Sequence, residues 1–262
     1  MSRPYFWPVT LKQKAMKKVL MFGYSILAYL VGFASILYWI ASVSHLFPEI
    51  SIDQTPELPL WEALLSNFGW VALFGLQHSI MARKPFKELF ARHFPRPVER
   101  STYVLISGLL LTLLVYHWQP LGGLVWEVQG GTFLYYTTYT LFFTGWAILF
   151  VSTFLINHFD LFGLRQTYLE LMNRPYKPLE FRVVWLYKYV RHPLYFGGIL
   201  GLWATPRMTW THLAFAAGLT AYFIVGTLFE EIDLVREFGD RYRAYRSRTP
   251  MLLPFTKLKS KQ

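Results

Sequence analysis

The sequence predicts an all-α fold: a polytopic membrane helix bundle of four spans, followed by a C-terminal helical hairpin and a cytoplasmic tail. Three observations predict it. Of 262 residues, 54% are hydrophobic and 19% aromatic, while only 16% are charged, against about 25% in soluble domains. Four stretches, 19–48, 63–82, 101–126 and 128–159, contain no Asp, Glu, Lys or Arg. The basic residues fall almost entirely into alternate connections between those stretches. Such a composition excludes a disordered chain and argues against an ordinary soluble enzyme. The absence of cysteine excludes a disulfide framework, a thiolate zinc site, an iron–sulfur cluster and a cysteine nucleophile.

Each uncharged stretch is long enough to hold one bilayer-crossing helix of about 20 residues, and the expected spans are 19–43, 60–82, 102–118 and 136–158. The first follows a basic segment and ends in Ala41-Ser42-Val43, which resembles a signal-peptide cleavage site. Its apolar run of about 25 residues exceeds the 7–15 of a signal-peptide core, so a retained span is expected. A fifth apolar region, 192–228, is broken by Thr205-Pro206-Arg207. Proline stops helices, which makes this region a hairpin. Its first arm, 194–205, is about 18 Å long at 1.5 Å per residue and too short to cross alone. The second, 211–229, is long enough. Pro175, Pro178 and mixed charge mark 163–184 as a short loop rather than a domain. One integral-membrane domain, 1–262, is therefore expected, with 19–160 as its four-span part and 161–262 as loop, hairpin and tail.

The charges orient it. Arg3, Lys12, Lys14, Lys17 and Lys18 precede the first span; connections 83–100 and 160–191 hold six Lys or Arg each, and the tail after Phe229 holds eight. Connections 44–59 and 119–135 hold none, and the hairpin tip has Arg207 alone. Twenty-five of 26 basic residues thus lie on one side. The positive-inside rule makes that side, with both termini, cytoplasmic. The net charge of +11 is then a topology signal, and no nucleic-acid partner is needed to explain it.

Ionisable residues inside membrane segments default to a functional hypothesis, and several share one depth. Gln77 and His78 end the second span, Asn157, His158 and Asp160 the fourth, and Arg191-His192 and Glu230-Glu231 bound the hairpin, all at the cytoplasmic level. At the outer ends, His45, His117 and His212 have no expected partner. Bland readings stand beside these: a packed helix-end histidine for His78, a capping pair for Asn157-His158, a solvated helix for Glu230-Glu231. Likewise Gly197 to Gly201 suits close helix packing, and Tyr187, Tyr189 and Tyr195 suit an interfacial aromatic belt.

Tyr189-Val190-Arg191-His192-Pro193-Leu194-Tyr195-Phe196-Gly197 resembles the R-H-P-x-Y-x-G pattern of the isoprenylcysteine carboxyl methyltransferase superfamily of integral-membrane enzymes. Glu230-Glu231, Phe238-Gly239, Tyr242, Tyr245 and Pro250 resemble its cofactor-binding C-terminal half. Gln77-His78-Ser79-Ile80-Met81-Ala82-Arg83, Glu99-Arg100-Ser101-Thr102-Tyr103 and Ile156 to Gln166 resemble segments of its methanethiol S-methyltransferase branch. The similarity covers roughly 60–254. It implies a bacterial inner-membrane enzyme that moves a methyl group from S-adenosylmethionine to a small thiol, methanethiol giving dimethyl sulfide, with hydrogen sulfide as a second acceptor. The tail then forms the cofactor site. The resemblance implies cofactor-binding roles for Tyr189, His192, Pro193, Tyr195, Gly197, Glu230, Glu231, Tyr242 and Arg246.

The chemistry suits these residue types. Carboxylates accept hydrogen bonds from a ribose or amine, Arg191, Arg246 or His192 meet a carboxylate by charge-assisted bonds, and tyrosine faces attract a sulfonium. A thiol needs help to ionise. His78 and His158 are the candidate bases, with Asn157 and Arg191 beside them as further catalytic candidates, and no metal is called for. Two alternatives stay open. A sister branch of the NnrU type, related to nitric-oxide-reductase accessory proteins, allows an accessory or transport role. Two histidines at one depth would also allow a haem- or quinone-binding protein, with His78 and His158 as axial ligands.

Overall fold

Thr10 starts the first helix by accepting a hydrogen bond from the backbone N–H of Gln13, whose side chain caps Thr10 in return. Helix α1 (Leu11–Val43) has 33 residues and is about 50 Å long, well beyond the roughly 30 Å of a bilayer core. Its lysine-bearing first turns therefore extend the predicted span at the basic end. The computed structural model describes residues 10–254 and Thr256; Arg3, Lys257, Lys259 and Lys261, four of the residues that orient the chain, lie outside the described residues.

Helix α2 (Leu60–Ala82) has the predicted bounds, and α3 (Lys84–His93) follows it in the basic connection. Helix α4 (Glu99–Tyr116) runs back toward the outer end. Strand β1 (Leu124–Glu127) precedes α5 (Phe133–Ile156), and two short helices, α6 (His158–Leu161) and α7 (Leu164–Leu171), turn the chain at the basic end. The hairpin consists of α8 (Pro193–Trp203), strand β2 (Arg207–Thr209) and α9 (Trp210–Phe238), with α10 (Asp240–Arg248) folding back after Gly239.

Among the described residues, four helices are long and apolar enough to cross a membrane: α1, α4 with the turn before it (Arg96–Tyr116), α5 and α9. The protein is integral to the membrane. The predicted second span, α2, has the length but is not among the four. Glu62, Ser66, Asn67, Gln77, His78 and Ser79 make it more polar. Several of these groups find partners within the bundle: Asn67 exchanges two hydrogen bonds with the Gln119 backbone, at 2.7 and 2.9 Å. Helix α2 packs between α4 and α9. Arg83 ties its end to α9 through Asp233 at 2.5 Å and through the Phe229 ring.

Small residues set the closest approaches. Ser25, Ala28, Gly32, Ser35 and Ser42 form a buried stripe on α1 that faces α4, because steps of three and four residues share a helix face. Helix α8 lies along α5, where Gly197 and Gly201 meet Gly145. A Cβ on Gly197 would sit 2.5 Å from the Gly145 carbonyl oxygen, and one on Gly145 2.4 Å from the Gly201 nitrogen. Gly197 therefore serves helix packing, the bland reading of its spacing to Gly201.

The all-α expectation misses one element. Strands β1 and β2 pair antiparallel, Glu127 opposite Arg207, and form a two-stranded sheet over the outer end. Their exposed backbone groups satisfy each other, as buried or half-buried backbone must. The outer histidines also have partners, against expectation: His45 Nε2 lies 3.2 Å from His212 Nδ1, and His117 stacks on Trp70.

Candidate active site

At the basic end, α8 begins where the C-terminal segment crosses it. The Arg191 and His192 N–H groups donate to the carbonyls of Pro250 and Met251, at 2.9 and 3.1 Å. The buried Arg191 guanidinium donates to Glu231 at 2.5 Å and to the carbonyls of Arg246 and Thr249. Glu231, 3% exposed, also meets Arg246 at 3.1 Å, His192 Nε2 at 3.3 Å and the Tyr242 hydroxyl at 3.4 Å. Burial, and then the Glu231 carboxylate, push the Tyr242 phenol well above its ordinary range, so it stays neutral and donates. Tyr245 donates to the Tyr187 carbonyl at 2.5 Å, and burial raises both phenols.

These contacts bear on three of the expected roles. Arg191, a catalytic candidate, is a strut whose charge is spent on Glu231 and two carbonyls. Glu231 is the hub of that strut, with little of its carboxylate left for a ligand. Tyr242 is buried against Phe181 and Tyr245, so its ring face is not open to a sulfonium. Pro193 opens α8 as its first residue, where a missing N–H costs nothing. Tyr189 sits on the exposed turn just before it.

Glu230 differs from its neighbour. Its side chain is 45% exposed, and Oε2 lies 3.6 Å from His192 Nδ1. Tyr195, Tyr103, Tyr187, Tyr222 and Tyr242 all lie within its electrostatic reach. Residues from α4, α8, α9 and α10 thus converge on one accessible carboxylate. Tyr222 continues the cluster to α2, packing on Phe74 and, edge-on, on His78.

His78 is held from α4. Its Nε2 lies 2.5 Å from the Tyr103 hydroxyl and its Nδ1 3.2 Å from the Ser107 hydroxyl. Tyr103 and Ser107 stand four residues apart, on one face. The Arg100 guanidinium lies over the Tyr103 ring at 4.7 Å and donates to the Leu161 carbonyl at 2.7 Å, joining this cluster to α6.

His158 stands apart in an aromatic box. It stacks on Phe154 with ring centroids 4.1 Å apart and contacts Tyr29 and Phe162. Thr153 donates to the Phe150 carbonyl at 2.7 Å, so its oxygen accepts from His158 Nδ1–H at 2.8 Å. The Nε2 lone pair is then met by the Tyr29 hydroxyl at 3.0 Å. Both nitrogens are used, and the ring is 2% exposed. Asn157, a catalytic candidate, caps α6 by accepting the Asp160 N–H at 3.1 Å, which is the bland reading. The occupied nitrogens of His78 and His158 also leave neither ring presenting a free ligand atom to a haem.

Tyr103, Tyr222, Arg100, Ser107 and Tyr29 were not singled out from sequence. Tyr103 lay within a motif segment, and its spacing to Ser107 was the available signal. A groove of about 670 Å³ lies nearby between α3, α4, α6 and α7 and is lined by Arg96, Glu99, Arg100, Asp160 and Glu170 among others. It is a wide, solvated trough that Glu230, His192 and His78 do not line, so the converging side chains, not that volume, define the candidate site.

The chain is 43% identical to the methanethiol S-methyltransferase of Crocosphaera subtropica, over 96% of its length and 98% of that relative. It is 46% identical to methanethiol S-methyltransferase 1 of Bradyrhizobium diazoefficiens, over 91% and 83%, and 41% identical to the methanethiol S-methyltransferase of Mycobacterium tuberculosis, over 92% and 98%. No protein-family model matches the chain. No solved structure matches it.

Proposed function

The chain belongs to the methanethiol S-methyltransferase family, and from that premise we propose that it moves a methyl group from S-adenosylmethionine to methanethiol, giving dimethyl sulfide, at the basic end of the bundle. That end faces the cytoplasm in this reading, with both termini. One observation supports this reading: Tyr195 and Tyr103, the latter hydrogen-bonded to His78, both lie within electrostatic reach of the same accessible carboxylate, Glu230.

The donor set fits the cofactor. Glu230 can accept from its ribose or amine, and the half-exposed Arg246 can meet its carboxylate. The Tyr195 and Tyr222 faces suit a cation. S-adenosylmethionine bound there supplies a methyl group on a positively charged sulfur. The thiol belongs on the α2–α4 side, among Phe74, Tyr222 and Tyr103.

His78 is the base in this reading. Tyr103 hands its hydroxyl proton to Nε2 as it takes the thiol proton, and the thiolate sulfur forms the new bond to the methyl carbon as the old carbon–sulfur bond breaks. The imidazolium then returns its proton to solvent. Thiolate is the better nucleophile, and neutralising opposite charges in an apolar pocket favours the step. The protein's further work is alignment of the reacting atoms at about 3–3.5 Å. His158, enclosed by Phe154, Tyr29 and Phe162, positions the α5–α6 turn instead. Hydrogen sulfide, smaller and equally neutral, is the second acceptor to test.

The test is headspace analysis of purified protein given S-adenosylmethionine and methanethiol. Dimethyl sulfide at many turnovers per chain is expected, and its absence with cofactor demonstrably bound would overturn the reading. Glu230→Gln should weaken cofactor binding about tenfold or more by removing a charged acceptor.

A further inference from the structure

The outer end of the bundle carries a second cluster that methyl transfer does not use. His45 follows α1, Asp53 lies in the loop beyond it, and His212 sits in the first turn of α9. Their ligand atoms all lie within 4.8 Å of one another. The His45 and Asp53 side chains are 12% and 11% exposed, and His212 is wholly buried.

The hydrogen bonds around the cluster leave one His212 nitrogen and one Asp53 oxygen facing the His45 ring, from its Nε2 and Nδ1 sides. His212 Nε2 lies 2.8 Å from the Leu202 carbonyl, which only accepts, so Nε2 carries the proton and Nδ1 presents a lone pair to His45. Asp53 Oδ1 is held by the Thr209 hydroxyl. Asp53 Oδ2 is buried, 3.3 Å from His45 Nδ1, and has no hydrogen bond of good geometry. A buried carboxylate oxygen left in that state is costly.

Two further features match a divalent cation. Zinc–nitrogen bonds of about 2.0–2.1 Å in a tetrahedron place neighbouring ligand atoms about 3.3–3.4 Å apart, and His45 Nε2 lies 3.2 Å from His212 Nδ1. A ligating histidine ordinarily gives its other N–H to a carbonyl or carboxylate, as His212 does. One carboxylate and two neutral imidazoles suit a borderline 2+ ion. The Arg207 charge nearby is drawn off by Glu127 across the two-stranded sheet, at 3.8 Å.

We propose that His45, Asp53 and His212 form a zinc site on the outer face, with its fourth position open to water, that staples the end of α1 to the start of α9. It is separate from the methyl-transfer site at the opposite end of the helices.

The test uses the full chain, purified in detergent, stripped with a chelator and titrated with Zn²⁺ alone. One equivalent binding at micromolar Kd or tighter is expected, together with a rise in the thermal midpoint. Asp53→Asn, which keeps the shape, should weaken binding at least tenfold, and His212→Gln more. His93→Gln, on the exposed basic face, should leave it unchanged. Co²⁺ bound to the unaltered protein should give visible absorption of a four-coordinate nitrogen and oxygen site, a readout that needs no variant to fold. Substoichiometric zinc, or full affinity in the His45→Gln, His212→Gln pair, would sink the proposal and leave an ordinary hydrogen-bonded histidine pair.

Discussion

Glu230 and Glu231 are neighbours in sequence with opposite fates. Glu231 faces inward and is surrounded by Arg191, His192, Arg246 and Tyr242, a closed buttress joining α8, α9 and α10. Glu230, about 100° further round the helix, faces a rim of tyrosines and stays 45% exposed. The difference teaches how this end divides its labour. Charged groups that satisfy one another hold the frame, and a charged group left reachable can serve a ligand. His158 and His78 repeat the contrast, one enclosed among Phe154, Tyr29 and Phe162 and the other joined through Tyr103 to the rim.

The largest effect should come from breaking the buttress. Arg191→Ala leaves the Glu231 carboxylate buried and short of its main partner, at a cost of about 3–5 kcal/mol. Thermal unfolding in detergent should show a large fall in midpoint. An Arg191→Ala protein as stable as the parent, but unable to turn over, would restore arginine to the catalytic set.

The rim should respond in rate instead. His78→Ala should lower turnover by about 10²–10⁴, the range for a lost general base, with cofactor affinity and thermal midpoint nearly unchanged. Tyr103→Phe, which removes the hydroxyl that passes the thiol proton to His78, should lower turnover into the same range. Should His158→Ala instead reproduce the His78→Ala deficit in turnover at unchanged stability, the two histidines would exchange roles.

The smallest effect should be at Asn157. Substitution by alanine removes a helix cap worth about 1 kcal/mol, so stability should drop slightly while turnover per folded molecule persists. A selective loss of turnover would return Asn157 to the site.

Much of the fold was legible because its signals are local. The ends of α2 match the reading residue for residue, and those of α5 to within three. The paired strands were not legible: they are four and three residues long and pair across about eighty positions, so neither carries a periodic pattern of its own. In the site, depth was readable and partnership was not. Arg191, His192, Glu230 and Glu231 do gather at one level, but which of them are spent on each other depends on helix rotation. Tyr103 escaped notice because an aromatic at a membrane interface is common, and only its contact with His78 distinguishes it.

By itself, then, the sequence determined that this chain lives in a membrane, where its helices run, and which end carries the positive charge. Hydropathy and charge act on each residue separately against the bilayer, so they can be summed along a chain. Tertiary structure alone decided which polar groups face a partner and which face a ligand. In a low-dielectric interior, a charge is strut or site according to the atoms that surround it.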